Sequence, residues 1–552
     1  MSNSALLNTV PHSRLPFYEV QVTGDRSHKM GHTYDPQALL AAVKDDISKH
    51  PHHTVFTSSA MRFLQKLMFG LLPSFIQRRI RPLAAKQQRL HPTSYLDGLR
   101  GVASFIVFMG HYTEENIGWF AEPYGLYEDG APSSPLQLPG IRVLYSARPM
   151  VHIFFIISGY VLAYKPLKQI HTQQFSAMAG TLSSSVFRRA LRLFLPSIIV
   201  SFIMALNVHF GLSDDRYAYQ FVQFSSQMRD WLSMCWALLS ASWDINFLSS
   251  PELLYNPALW TIPIEFAQSL LLFTVLLGLS HCVSQIRLIL LAGIMAFCFY
   301  GGHLYSVEFL GGMFIAEITL LNDATLFTPI SSPTTLPKYI IEEKLGKQEK
   351  AECSPTIKER LLQAFWIANL LSGLFIGSWT NSHPEEVWGI AFLDAHTPQP
   401  YEGQRVWFCL GAFQIVLACT QLKFLQRLFT TPVALYLGTI SYALYLTHNL
   451  CLTILEPRIG PAINMHIGRA TLWERHLSWA VGLAVYLPII ICVADLFWRL
   501  VDAPTVKFAR WFEGKCVVEK MSWLRWISLG LEFTWRFPDV SRSFGIAGKA
   551  FA

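Results

Sequence analysis

Charged residues are scarce in this chain. They make up 15% of its 552 residues, whereas soluble domains carry about 25%. Hydrophobic residues make up 52%, the mean hydropathy is +0.31, and long apolar runs recur along most of the length. This composition excludes an ordinary soluble globular protein and predicts a polytopic membrane protein. The net charge of +7 is small for this length, so it indicates basic loops on one side of a membrane and no nucleic-acid partner.

Several motifs are also absent. The nine cysteines form no Cys-x-x-Cys pair and no His/Cys ligand cluster, so we expect neither a metal site nor a bound cofactor. No Gly-x-Ser-x-Gly string occurs, so a serine acyl-enzyme is not supported. No Asn-x-Ser/Thr sequon occurs either, so glycosylation marks no lumenal loop. The first 60 residues are polar and rich in histidine, which predicts a cytoplasmic tail rather than a signal peptide.

The apolar runs predict an all-α fold, a polytopic transmembrane helical bundle with about ten spans. The predicted domains are a flexible tail at 1–60, an amphipathic segment at 61–94, the transmembrane domain at 95–511 and an interfacial tail at 512–552. The helix predicted at 61–79 lies either in the membrane interface or against the cytoplasmic face of the bundle. The predicted spans are 99–118, 150–166, 193–210, 258–279, 286–300, 303–321, 362–380, 405–421, 432–454 and 478–500.

Basic residues orient this bundle. With ten spans, five basic segments fall on the same side, which should be cytoplasmic. Both termini are then cytoplasmic, the domain contacts membrane lipids, and the endoplasmic reticulum or the plasma membrane fits equally well. The basic segments are Arg78–Arg89, Lys165–Arg192, Lys338–Arg360, Lys423–Arg427 and Lys507–Arg510.

Arg100 and His111 form the most informative pair. The ten residues between them are apolar enough to lie in a membrane. Eleven positions at about 100° each make three turns plus about 20°, so the two side chains share one helix face. At about 1.5 Å per residue, His111 lies about 16 Å deeper than Arg100. An ionisable residue at this depth indicates a functional site, although a histidine packed against a polar partner would give the same pattern.

Further polar features sit at membrane depth or at its edge. Ser158 lies in the string Phe154–Tyr160 of span two, and Glu265 enters span four five residues after Trp260. Span nine contains Gly438–Asn449, a string that includes Tyr445 and His448. A basic cluster precedes span three and consists of Arg188, Arg189 and Arg192.

Together these motifs resemble the acyltransferase 3 family of integral-membrane acyltransferases. The matching elements are DGLRG-x6-FMGH with its Arg-x10-His spacing, FFIISGY, RR-x2-R-x3-P, W-x4-E, GTISYALYLTHN and the acidic-x-Pro element Asp502–Pro504. They cover about residues 95–510 in the family's order. The resemblance implies that His111 is the catalytic base and that Arg100 binds the acyl donor.

The residue chemistry agrees with these roles. Guanidinium groups suit phosphate oxygens, so Arg100, Arg188, Arg189 and Arg192 would hold acyl-CoA, although contact with lipid headgroups explains the last three as well. A neutral histidine suits removal of a hydroxyl proton. Glu265 orients His111, binds the acceptor, or pairs with an arginine or a hydroxyl.

We expect Trp260, Ser158, Tyr445 and His448 to line the substrate site, although close helix packing explains Ser158 and a satisfied buried histidine explains His448. The leading hypothesis is a membrane-bound O-acyltransferase. It would move an acyl group, expected to be acetyl, from acyl-CoA to a hydroxyl of a carbohydrate, lipid or secondary metabolite. The alternatives are a transporter or lipid flippase that relays protons through membrane His and Glu, and an inactive scaffold that keeps the fold.

Overall fold

The fold is helical throughout the part of the chain that the structure describes. A computed structural model describes residues 61, 65, 68–80, 90–116, 122–125, 133–213, 218–241, 255–326, 356–401 and 403–516. The predicted tail at 1–60 and most of the predicted interfacial tail at 512–552 lie outside these residues. The described residues from 71 onward belong to one compact unit, to which the following description refers.

Several of the connections between the helices contain single 3₁₀ turns in the part of the chain that the structure describes. In chain order they are α1 (Ser74–Ile80), α2 (Ser94–Asn116), α3 (Ala147–His171), α4 (Phe175–His209), α5 (Phe224–Ser240), α6 (Thr261–Gly278), α7 (Ser284–Tyr300), α8 (Leu304–Leu326), α9 (Ile357–Ile376), α10 (Ile390–Ala395), α11 (Arg405–Gln421), α12 (Lys423–Phe429), α13 (Pro432–Ile467), α14 (Leu472–Phe497) and α15 (Ala503–Cys516).

Five helical segments are long and apolar enough to cross a membrane, and a sixth qualifies if α11 and α12, bent by 97°, count as one broken span. The prediction of a helical membrane protein is therefore confirmed, but the count of ten spans is not. The predicted spans 99–118, 286–300, 362–380 and 432–454 fall on α2, α7, α9 and α13, which do not meet that test. The five segments are Ala147–His171, Phe175–His209, Pro257–Gly278, Leu304–Asn322 and Leu472–Cys516.

Local sequence signals explain several helix ends. Thr356 caps α9 and Thr471 caps α14, each in a capping box with a glutamate three residues later, which satisfies two free backbone N–H groups at each end. Gly468 ends α13 in a left-handed conformation with φ +91°, which a glycine adopts without steric cost.

Glycines let α2 and α13 touch backbone to backbone. A Cβ atom on Gly101 would lie 2.2 Å from the Gly438 nitrogen, and one on Gly438 would lie 2.3 Å from the Asp97 carbonyl oxygen. One turn further, the Ser104 hydroxyl donates to the Ser441 carbonyl over 2.8 Å. The DGLRG and GTISY strings therefore interlock, and this contact fixes how the helix of His111 faces the helix of His448.

Buried ion pairs tie α3, α7 and α8 together. His152 on α3 bonds to the fully buried Glu308 on α8. Further along α8, Glu317 accepts a hydrogen bond from Arg287 of α7 over 2.6 Å and lies 3.1 Å from His171 of α3. Because an unpaired charge in an apolar interior is costly, each of these groups has a partner of opposite sign or a hydrogen-bond partner.

The helix α1 contacts the last part of the bundle. The Ser74 hydroxyl donates to the Asp495 carboxylate of α14 over 2.6 Å, and its backbone N–H donates to the same group. The Phe75 ring meets the Tyr436 ring of α13 edge to face at 5.1 Å. The second half of the segment predicted at 61–79 therefore packs against α13 and α14.

Candidate active site

His111 and His448 lie together in the interior. The two rings are stacked, with centroids 5.1 Å apart and planes 25° from parallel. His111 is partly buried, whereas His448 is fully buried. The His448 Nδ1 atom lies 3.3 Å from the Leu444 carbonyl oxygen of its own helix, and its Nε2 atom has no partner among the described residues. The DGLRG-x6-FMGH motif of α2 and the GTISYALYLTHN motif of α13 thus meet at two histidines.

The carboxylates near His111 have other partners. Glu114, one turn further along α2, lies within electrostatic range of His111 and accepts a hydrogen bond from the Asn381 amide over 2.7 Å. Glu265 of α6 pairs with Arg189 of α4, and each side chain is 15% exposed. Of the alternatives for Glu265, the structure shows pairing with an arginine, and it shows no contact between Glu265 and His111 among the described residues.

The predicted arginines converge, and each has an acidic neighbour. Arg100 bonds to Asp97 over 2.9 Å, and Arg188 bonds to Glu513 of α15 over 3.2 Å. Arg192 interacts electrostatically with Asp502, Arg189, Arg100 and Arg188. Several guanidinium groups therefore lie close together in this cluster. An anionic ligand that binds here would compete with the protein's own carboxylates for hydrogen bonds from these guanidinium groups.

A π-helical turn, Trp498–Asp502, joins α14 to α15 beside this cluster. Such turns are rare and are often found at functional sites. It places Asp502, part of the acidic-x-Pro element, within electrostatic range of Arg192 and Arg100. Glu513 was not predicted, because a glutamate thirteen residues after the last predicted span carries no pattern that singles it out.

An aromatic wall lies next to the histidines. The Tyr445 ring lies 5.9 Å from His448 and meets Phe154 of α3 edge to face at 5.9 Å. Its hydroxyl donates to the Ala258 carbonyl over 2.8 Å and lies 2.9 Å from the Thr261 hydroxyl. Because that hydroxyl already has partners, the ring face of Tyr445 is the part that a substrate could meet.

The other predicted lining residues lie on neighbouring elements. Ser158 is partly buried and lies one turn after Phe154, on the same face of α3. The Trp260 ring is 6.2 Å from Tyr305 of α8, at the end of the 3₁₀ turn Pro257–Trp260. The structure therefore places Tyr445 and His448 together, whereas Ser158 shows no direct contact with either histidine among the described residues.

Sequence reasoning missed a buried asparagine that supports this wall. Asn256 caps the 3₁₀ turn by accepting from the Ala258 N–H over 3.2 Å, and it also accepts from the Asn449 amide over 3.2 Å. Its own amide donates to the Leu446 carbonyl of α13 over 3.1 Å. The Asn-Pro dipeptide at 256–257 signals a cap of this kind, but it does not signal the contact with α13.

Comparison with known proteins shows the family to which the chain belongs. Its fold and site define a helical membrane enzyme with a histidine pair and an arginine cluster. A family model described as an acyltransferase domain matches residues 93–499, and the chain belongs to this family, acyltransferase 3. No solved structure matches the chain.

Relatives named as acyltransferases support the same activity. The chain is 31% identical to the O-acetyltransferase PaAT-1 of Phomopsis amygdali over 80% of its own length and 87% of that protein. It is 27% identical to the acyltransferase clz18 of Cochliobolus lunatus and 26% identical to the acyltransferase R4 of a Phoma species, in each case over 75% of this chain and 94% of the relative. The protein is therefore an acyltransferase.

Proposed function

We propose that this protein is a membrane O-acyltransferase that moves an acetyl group from acetyl-CoA to a hydroxyl of a carbohydrate, lipid or secondary metabolite. The relative PaAT-1 is named an O-acetyltransferase, which supports acetyl as the acyl group. The observation that carries the proposal is the arrangement on α2, where Arg100 belongs to the arginine cluster and His111, eleven residues along the helix, meets His448.

The proposed reaction assigns each end of α2 a task. Arg100, Arg188, Arg189 and Arg192 hold the phosphates of acetyl-CoA, and about 16 Å along the helix the acetyl thioester reaches His111. His111 takes the proton of the acceptor hydroxyl while the hydroxyl oxygen attacks the thioester carbonyl. The tetrahedral intermediate then expels the thiolate of CoA, which receives this proton, and the products are the acetyl ester and free CoA.

We also propose a topology for this reaction. The bundle crosses the membrane ten times, with both termini and the arginine cluster on the cytoplasmic side, where acyl-CoA is available. His111 then lies nearer the opposite leaflet. The acceptor reaches it from the membrane or from the lumenal side.

The transporter alternative receives less support at the proposed active site. It needs a membrane His and Glu that exchange protons, but Glu265 pairs with Arg189, and the described residues show no contact between Glu265 and His111. The buried pairs of His152 with Glu308 and of His171 with Glu317 lie between α3 and α8, away from His111. The family match and the names of the relatives also favour an acyltransferase.

Product analysis tests the proposal. Membranes containing the protein are incubated with isotope-labelled acetyl-CoA and candidate acceptors, and the products are identified by mass spectrometry. We expect the variant H111A to lose acetyl transfer by at least about 100-fold, the usual effect of removing a general base. The control is H466A, which removes an exposed histidine whose Nδ1 atom bonds within its own helix. Undiminished transfer by folded H111A would exclude His111 as the base.

A further inference from the structure

No hydrogen bond orients His111 among the described residues. A catalytic base is ordinarily held by a carboxylate on its second nitrogen, as in a catalytic triad. Here Glu114 is bonded by Asn381 and Glu265 by Arg189. The closest described ring contact of His111 is the face of the His448 ring, with centroids 5.1 Å apart.

The hydrogen bonds of His448 favour a neutral ring. Its Nδ1 atom faces the Leu444 carbonyl, which only accepts, so the proton is on Nδ1. The neutral ring then has a bare Nε2 atom, which fits the finding that this buried atom has no partner among the described residues. A doubly protonated ring would bury a second N–H without an acceptor, which is less favourable than burying a bare nitrogen.

We propose that His448 is a positioning residue that holds the His111 ring by stacking and stabilises it when it becomes positively charged. The inference rests on the proposed function, in which His111 gains a proton from the acceptor hydroxyl. The neutral aromatic face of His448 then lies against an imidazolium cation. Because this cation–π attraction is absent before proton transfer, it lowers the barrier rather than strengthening substrate binding.

The neighbouring residues keep this arrangement in place. Tyr445 lies 5.9 Å from His448 and is fixed by its hydrogen bond to the Ala258 carbonyl, and Asn449 is bonded to the fully buried Asn256. The backbone contact between Gly101 and Gly438 sets the spacing of α2 and α13. His448 therefore has little freedom to move away from His111 when the charge appears.

Two substitutions test whether His448 acts through its aromatic face or only by filling space. H448F keeps a ring without titratable nitrogens, and H448L fills similar space without one. We expect H448L to lower kcat by about 3- to 30-fold, the factor that a cation–π contact supplies. H448F should retain a kcat clearly above that of H448L, and the KM for acetyl-CoA should stay the same in both. Wild-type kcat in H448L, or equal loss in both variants, would overturn the inference.

Further variants cover the case in which H448F does not fold, judged by its elution profile and melting temperature in detergent. H448Q is then compared with H448L, because an amide can form hydrogen bonds but has no aromatic face. The inference requires the same loss of kcat in both, and wild-type kcat in H448Q contradicts it. H111A, assayed in parallel, distinguishes failure of the proposed function from failure of the role of His448. Activity in H111A rejects His111 as the base. An inactive H111A together with a fully active H448L rejects only the role of His448.

Discussion

Removing one partner from an ion pair at membrane depth leaves the other charge without compensation. Glu265 and Arg189 form such a pair, and Arg189 belongs to the cluster assigned to acetyl-CoA. We expect E265Q and R189Q each to raise the KM for acetyl-CoA by about tenfold, or about 1.4 kcal/mol, with a smaller effect on kcat. The double variant should be no worse than the worse single variant, because residues that act as one unit are not additive.

Steady-state kinetics with varied acetyl-CoA measure this coupling. The matched control is R287Q, which disturbs an arginine that is paired with Glu317 away from the cluster. A large loss of kcat in E265Q at an unchanged KM would instead make Glu265 part of the proton-transfer machinery at His111.

The same pair shows the limit of sequence reasoning for single residues. The position of Glu265 in an apolar run predicted that it needs a partner. Its partner lies 76 residues earlier on another helix, so the choice between Arg189, His111 and a hydroxyl depends on helix rotation. The stacking of His111 on His448 could not be predicted for the same reason, although both residues were singled out.

The helices themselves were easier to predict than their ends and contacts. Each predicted span falls on a helix, because apolar runs of this length are helical in a membrane. The span predicted at 432–454 stops before Pro457, whereas α13 continues through Pro457 and Pro461 to Ile467. A proline is tolerated inside a membrane helix where neighbouring groups form hydrogen bonds with the backbone carbonyls that it leaves unpaired. Neither proline therefore ends this helix.

Glycine contacts between α2 and α13 should decide the stability of this helix pair. G101A would place a methyl group 2.2 Å from the Gly438 nitrogen, so the helices must separate. We expect a loss of about 1–3 kcal/mol or more, seen as a lower melting temperature and loss of acetyl transfer. The control G293A changes a glycine of α7 that has open space around it, and it should be neutral or stabilise by about 0.5–1 kcal/mol. Equal melting temperatures for both variants would show that the interlocked glycines do not hold the pair together.

The proposed topology of ten spans requires that α9 crosses the membrane. This helix is not among the five candidate spans, so its crossing needs a separate test. Its exposed side chains include the large apolar residues Leu361, Leu362, Phe365 and Leu371. One side packs on α11, where Asn369 donates to the Gln414 carbonyl over 2.8 Å. Lys358 and Arg360 lie at its start, and Glu385 and Glu386 follow its end. This pattern fits the proposed topology, in which α9 faces lipid and begins on the cytoplasmic side.

Glycosylation can test this crossing directly, because the chain has no native Asn-x-Ser/Thr sequon and any glycan therefore reports an inserted one. A sequon flanked by Gly/Ser spacers is inserted either in the segment 384–389, after α9, or in 327–355, which precedes α9 and lies outside the described residues. In a eukaryotic host we expect a glycosidase-sensitive mass shift only for the first insertion, since only that side would face the lumen. Each protein must retain acetyl transfer, which shows that the insertion leaves the bundle intact. If both insertions or neither are glycosylated, α9 does not cross, the number of spans is not ten, and the cytoplasmic placement of both termini fails with it.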